Sequence, residues 1–249
     1  PRSQMMRCID HPTMLKDGSG WGALCGVSAA RMAKAGFTGA PALTLQTKHW
    51  HDLGENWLIT KQYFKPYPVC RWAQAPIAAV LDLKQTYDFS STDVASVHIT
   101  SFYEAVRLGQ KKVTNTEEAQ YSTSFPCAIA LVHGDILPEH IADDALKDPE
   151  IQRLSSVLTI SEDDHANLVF PGSRLARADI TLKNGQVLSS TWFEPKWDAS
   201  VPPTKKELTK KFRDYAIPVL GKTRTKEIYE AVFNFCLLYT SPSPRDRSS

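Results

Sequence analysis

Residues 21–36 (WGALCGVSAARMAKAG) carry the small residues Gly22, Gly26, Ala29, Ala30 and Ala33 at spacings of three and four, and Gly36 follows as a stop. The pattern predicts a helix whose small-residue face admits a neighbouring backbone, and so a place inside a helical domain. From 57 to 72 the chain turns β-branched and aromatic, broken by Pro66 and Pro68, and 75–85 (APIAAVLDLKQ) reads as a short helix. Residues 94–102 (VASVHITSF) alternate as a strand does. Residues 116–134 open on Thr116, Glu117 and Glu118 and close on Gly134, which predicts one buried helix. Residues 146–158 are amphipathic. Residues 178–193 hold Lys183-Asn184-Gly185-Gln186 between two alternating runs, a type I′ hairpin signal, and no β-α-β repetition is evident. After Pro202-Pro203, residues 204–235 return to helical periodicity, with Thr204 and Glu207 at the positions of a capping box.

This order of helix, mixed middle and helix predicts an α+β fold in which a large all-helical domain is interrupted by a smaller α+β domain. The expected division is 1–57 in the helical domain, 58–198 in the insertion and 199–235 back in the helical domain. The tail is different in kind. One codon choice for CLLYTSPSPRD (236–246) reproduces a transposase adapter used in DNA library preparation, so 236–249 is expected to be adapter-derived and is set aside from the fold. The same origin accounts for a chain whose first residue is Pro1, as expected of a fragment.

Composition narrows the classes. A chain of 249 residues with 42% hydrophobic and 22% charged residues can build a core, and a net charge of +2 gives no global reason to expect a nucleic acid or an anionic membrane as partner. No apolar run approaches the roughly 18 residues of a membrane span, and the start has no signal-peptide layout, so a soluble cytoplasmic protein is expected. The five cysteines, Cys8, Cys25, Cys70, Cys127 and Cys236, are odd in number and never spaced Cys-x-x-Cys, which argues against a disulfide framework and a zinc knuckle. Locally, 135–164 carries nine acidic against two basic residues and 205–226 eight basic against two acidic, most simply two solvated faces.

Few stretches carry chemistry. Serine-hydrolase, phosphate-loop, zinc-protease and dinucleotide motifs are absent. His49-Trp50-His51 sets two imidazoles at i and i+2, which suits a metal on a strand but is more commonly a polar loop. Lys16-Asp17-Gly18-Ser19-Gly20 before the first helix offers backbone amides to an anion, against a plain capped loop as the simpler reading. The compact constellation is Lys65-Pro66-Tyr67-Pro68-Val69-Cys70-Arg71-Trp72-Ala73-Gln74. Two prolines fix its backbone, and a lysine with an arginine suits a substrate bearing more than one carboxylate. An edge strand with snorkelling cations fits the same pattern.

KDGSGWGALCGVSAARMAKAGFTGAPALT, YFKPYPVCRWAQAPIAA and EEAQYSTSFPCAIALVHGDI, in this order and at these separations, resemble the C-terminal half of the MmgE/PrpD family, over essentially residues 5–235. That family includes 2-methylcitrate dehydratase, cis-aconitate decarboxylase and iminodisuccinate epimerase. The resemblance implies a helical domain with an inserted α+β lid, and an N-terminal helical half with its own active-site residues outside this chain, so that the 249 residues alone show no turnover. It also implies a homodimer for the full-length protein and a small di- or tricarboxylate as substrate, with no cofactor or metal.

Carried over residue by residue, Lys16 and Lys65 match the family's two lysines and become cationic, catalytic anchors, while Arg71, read from the local Lys/Arg pattern, is expected with Cys70, Gln74 and Tyr121 to contact the substrate. Cys70 stands where the decarboxylase has a His, and Gln74 where many other members have one. Phe125 replaces the decarboxylase's Tyr, and Tyr121, one helical turn earlier, is expected on the same face. Dehydration of a 2-methylcitrate-like hydroxy acid is therefore the first expectation, epimerisation or decarboxylation the second. A non-catalytic carboxylate-binding or dimerisation module is the rival from another class.

Overall fold

The computed structural model describes residues 19–43, 46–47, 50–109 and 113–234. The chain divides between Pro202 and Pro203 into two units, each described by itself. In the first, α1 (Ser19–Lys34) ends as its glycine predicts. Gly36 is left-handed (φ 91°), and the N–H groups of Gly36 and Phe37 donate to the carbonyls of Ala33 and Met32, a Schellman closure. Every described residue from 20 to 34 is exposed, so the small-residue face is not in contact with the core of this unit.

Residues 57–73 form no strand. They run as 3-10 turns, Leu58–Lys61 and Arg71–Ala73, joined by an extended stretch around Pro66 and Pro68, neither of which has an N–H to donate to a ladder. The helix α2 (Gln74–Thr86) follows and buries Ile77, Val80, Leu81 and Leu83. Then comes β1 (Val94–Ser101), entered through a Ser90/Asp93 capping box, and the short α3 (Tyr103–Arg107).

The single helix expected over 116–134 is two, α4 (Thr116–Tyr121) and α5 (Ser124–His133), and Gly134 closes the second at φ 73°. The break is local chemistry. Ser122 turns its hydroxyl to accept from the Phe125 N–H, and Pro126 can stand only in a helix's first turn. The amphipathic stretch gives α6 (Pro149–Ser156), with Asp148 accepting from the N–H groups of Glu150 and Ile151.

The strand β2 (Leu158–Glu162) was not legible in the sequence pattern. It lies parallel to β1 in the register Val97↔Leu158 and Ile99↔Ile160, so one helical crossover joins β1 to β2, while the other two strand pairs are antiparallel. After α7 (Asp164–Val169), β3 (Arg177–Leu182) and β4 (Val187–Ser189) complete a mixed sheet of order β2-β1-β3-β4. Their turn is not type I′. Asn184 is not left-handed, Gly185 is (φ 88°), and Gly185 N–H donates to Leu182 while Leu182 N–H donates to Gln186. This is a type I turn followed by a glycine bulge, and Asn184 stabilises it by accepting from Gln186 N–H through its own side chain.

The class is α+β. One core runs between α2, α5, α6 and the inner sheet face, built on Ile77, Leu83, Ile99, Phe125, Ile129 and Ile180. A second, smaller cluster gathers Trp72, Phe102, Ala105, Leu108 and Ala166, where the ring of Phe102 stacks on Phe170 at 4.4 Å and Trp72 meets both edge-on.

In the second unit α8 (Lys205–Phe233) starts on the expected Thr204/Glu207 capping box, and Gly221 (φ 74°, ψ 164°) divides it into two arms. Tyr229 of the second arm touches the ring of Phe212 and the hydroxyl of Thr209 in the first. No helix among the described residues is long and apolar enough to cross a membrane.

Candidate functional site

Between the first 3-10 turn and α2 the chain is held by two side chains from its own end. Gln74 is almost fully buried, and its amide closes a loop on itself. The Oε1 accepts from Tyr67 N–H, and the Nε2 lies within hydrogen-bonding distance (3.2–3.3 Å) of the carbonyls of Tyr67, Val69 and Cys70. A glutamine can do this because one amide carries both donor and acceptor at the tip of a reachable stem. The segment Tyr67–Cys70, with Pro66 before it and Pro68 within it, is thereby fixed.

Arg71 does the same over a longer range. Only 6% exposed, it donates from Nη1 to the carbonyls of Phe64 (3.4 Å) and Lys196 (3.0 Å) and from Nη2 to Asp198 (2.7 Å), while Tyr63 covers its plane at 4.1 Å. Phe64 N–H in turn donates to the Trp197 carbonyl. The 63–66 stretch is thus tied to 196–198, a connection across 127 positions of sequence. Burial pushes the Arg71 guanidinium below its ordinary pKa, and Asp198 opposes the shift.

Lys65 lies in this tied stretch and is exposed, between the anchored Phe64 and Pro66. Pro66 and Tyr67 help to line a small cleft of about 80 Å³, together with Asp82 and Gln85 of α2, Phe193 and Lys196. That is well below the roughly 300 Å³ of a small ligand pocket, too small by itself to enclose a tricarboxylate. The Tyr67 hydroxyl has its pKa raised to about 12 by burial and by the nearby Asp135, and it stays a neutral donor at any physiological pH.

Cys70 and Tyr121 are half-buried, and both pack on the Trp72/Phe102 cluster. The Cys70 N–H donates to the Gln120 carbonyl at 2.8 Å, which brings the end of α4 against the constellation. Tyr121 does not share a face with Phe125. The helix break at 122–123 sends Phe125 into the main core and leaves Tyr121 on the smaller cluster.

Five of the six sequence-derived site residues, Lys65, Cys70, Arg71, Gln74 and Tyr121, therefore lie on or against one anchored segment. Lys16 and His49 lie outside the described residues. Among the described residues, no group of three or more His, Cys, Asp and Glu side chains could hold a metal ion, and Cys25, Cys70 and Cys127 form no disulfide. Sequence reasoning missed Asp198, Lys196 and Tyr67. The first two sit in EPKWDAS, which matches no motif used above, and Tyr67 was read only as part of the rigid spacer.

Comparison with known proteins adds one finding. The model of the MmgE/PrpD C-terminal domain matches residues 67–234, more than half of the chain. No curated protein matches.

Proposed function

Since the chain belongs to the MmgE/PrpD family, we propose that it supplies the C-terminal part of a lyase that removes water from a small hydroxy di- or tricarboxylate of the 2-methylcitrate kind. In this reading 58–198 is the lid inserted into a helical domain, and turnover requires the family's N-terminal helical half. The homodimer rests on the resemblance alone.

One observation carries the reading. A cation, Lys65, stands on a backbone stretch tied down on both sides, by the Arg71 and Phe64 bonds to 196–198 and by the Gln74 clamp on 67–70. Loss of a proton next to a carboxylate builds negative charge on that carboxylate's oxygens. An ammonium group fixed in advance stabilises this charge without reorganising at the moment of reaction. The carbon–oxygen bond to the hydroxyl then breaks, and the hydroxyl leaves as water with a proton. Lys65 and Lys16 are assigned as the cationic catalytic groups and Cys70 and Tyr121 as substrate contacts. Gln74 and Arg71, whose described bonds go to the chain's own backbone and to Asp198, hold the segment in place.

The test is product analysis. The complete protein, incubated with 2-methylcitrate, should give the unsaturated tricarboxylate with its ultraviolet absorbance and release no carbon dioxide. Release of carbon dioxide from cis-aconitate, or solvent-deuterium exchange at a stereocentre without loss of water, would replace dehydration by decarboxylation or epimerisation.

A further inference from the structure

The backbone around Lys65 is gripped from both sides. The carbonyl of Phe64, which belongs to the Phe64–Lys65 peptide, accepts from Arg71 Nη1 at 3.4 Å, and the Phe64 N–H donates to the Trp197 carbonyl at 3.0 Å. On the other side Pro66 restricts the residue before it to extended conformations. The grip leads back to one corner of three consecutive residues. Arg71 Nη1 also donates to the Lys196 carbonyl (3.0 Å) and Nη2 to the Asp198 carboxylate (2.7 Å), while the residue between them, Trp197, receives the Phe64 N–H. Trp197 has φ 66°, the one positive value among the described residues other than glycine. A Cβ makes this left-handed conformation costly, and a residue keeps it only where its surroundings over-determine it. Here the carbonyl before Trp197, its own carbonyl and the side chain after it all serve Phe64 and Arg71.

We infer that Trp197 and Asp198 are positioning residues for Lys65. The left-handed turn at Trp197 presents Lys196 and Asp198 to Arg71, and Arg71 together with the Trp197 carbonyl sets the peptide that carries the lysine. This rests on the reading of Lys65 as a catalytic cation, and it adds two residues that act on the reaction only through that lysine. The Arg71 side chain is 5% exposed, so removing the Asp198 carboxylate leaves a buried guanidinium edge without the anion that orients it. A catalytic group displaced by about 1 Å can cost of the order of 100-fold in rate, which makes a loosened corner visible in turnover.

The experiment compares Trp197→Val with Trp197→Asn. Both lose the indole, but a β-branched residue resists a left-handed φ and asparagine accepts it. Hydrogen exchange of the Phe64 amide in this chain reads the corner directly. It should be roughly 10-fold or more faster in Trp197→Val and in Asp198→Ala than in the parent, with Trp197→Asn close to the parent. Steady-state turnover of 2-methylcitrate by the complete protein should follow the same order, through a kcat lower by roughly 10-fold or more at little change in KM. In a Lys65→Met background Asp198→Ala should bring no further loss, because its effect passes through the lysine. Asp198→Asn, which keeps an oxygen acceptor for Nη2 and loses the charge, should also exchange faster than the parent, and it serves as the readout if the Ala variant folds poorly. Equal exchange in the Val and Asn variants, or the same factor lost to Asp198→Ala with and without Lys65, would overturn the positioning role. A parent protein that does not turn over 2-methylcitrate would overturn the lyase reading, and the exchange comparison decides the corner in either case.

Discussion

Gln74 illustrates what one buried side chain does in this molecule. Its carboxamide satisfies groups of a segment that two prolines prevent from joining a sheet. Replacing it by Ala strands the Tyr67 N–H and neighbouring carbonyls, at a cost of about 2–3 kcal/mol, or roughly 5–10 °C in melting temperature for a chain of this size. Thermal unfolding checks this, and a change under 1 °C would mean the segment is held by other means. At this scale the sequence showed which residue types stand together but not where their donors go. Lys65 to Gln74 were legible as a rigid cationic group because prolines act locally. That Arg71 commits its Nη atoms to Lys196 and Asp198 depends on contacts more than 100 positions apart, which no local pattern encodes.

At the scale of elements, the C-terminus of α5 carries a pH-sensitive contact. His133 and His140 stack at 4.1 Å with their planes 8° apart, and His140 Nδ1 accepts from Leu137 N–H, which requires that nitrogen to be unprotonated. Burial first and His133 second hold His140 below its ordinary pKa, against the opposing pull of Glu139 and Asp135. A depressed folded-state value means that the contribution is complete above the unfolded value of about 6.5 and is lost as pH falls through the lower folded value. Thermal stability should therefore drop on acidification below about pH 6.5. The drop should be smaller in His140→Asn, which offers an acceptor and does not titrate; equal pH slopes would contradict this.

Gly109, following α3, gives a second element-scale case. A Cβ there would run into the side chain of Ile160 on β2, a core residue with little room to move. Gly109→Ala should cost about 1–3 kcal/mol in denaturant unfolding, and a neutral result would show that β2 can shift. The elements missed or misread in the sequence share a cause. The strand β2 is five residues long behind an amphipathic helix, and the α4/α5 break depends on a serine hydroxyl and a proline inside an otherwise apolar run. The elements read correctly, α2, β1, the capping box of α8 and the Gly134 stop, are set by signals within one or two turns.

For the whole molecule, stability should follow the core and not α1. Phe125→Ala opens the centre of the main cluster and should cost about 3–5 kcal/mol, whereas Trp21→Ala, on a helix with no buried described residue, should stay within about 0.5 kcal/mol in this chain. Parallel chemical denaturation checks both, and a large loss at Trp21 would mean that α1 packs. The family and the α+β class were legible because they rest on long stretches in a fixed order. The reaction was not, because it turns on a few side chains set by tertiary contacts. The proposed chemistry depends most directly on Lys65, and the measurement is steady-state turnover of 2-methylcitrate by the complete protein and by its Lys65→Met variant, with thermal unfolding alongside. If Lys65 acts as proposed, losing the cation carried on this anchored backbone slows turnover by roughly 100-fold or more at an unchanged melting temperature. Unchanged turnover, or inactivity accompanied by a collapsed melting temperature, would contradict it.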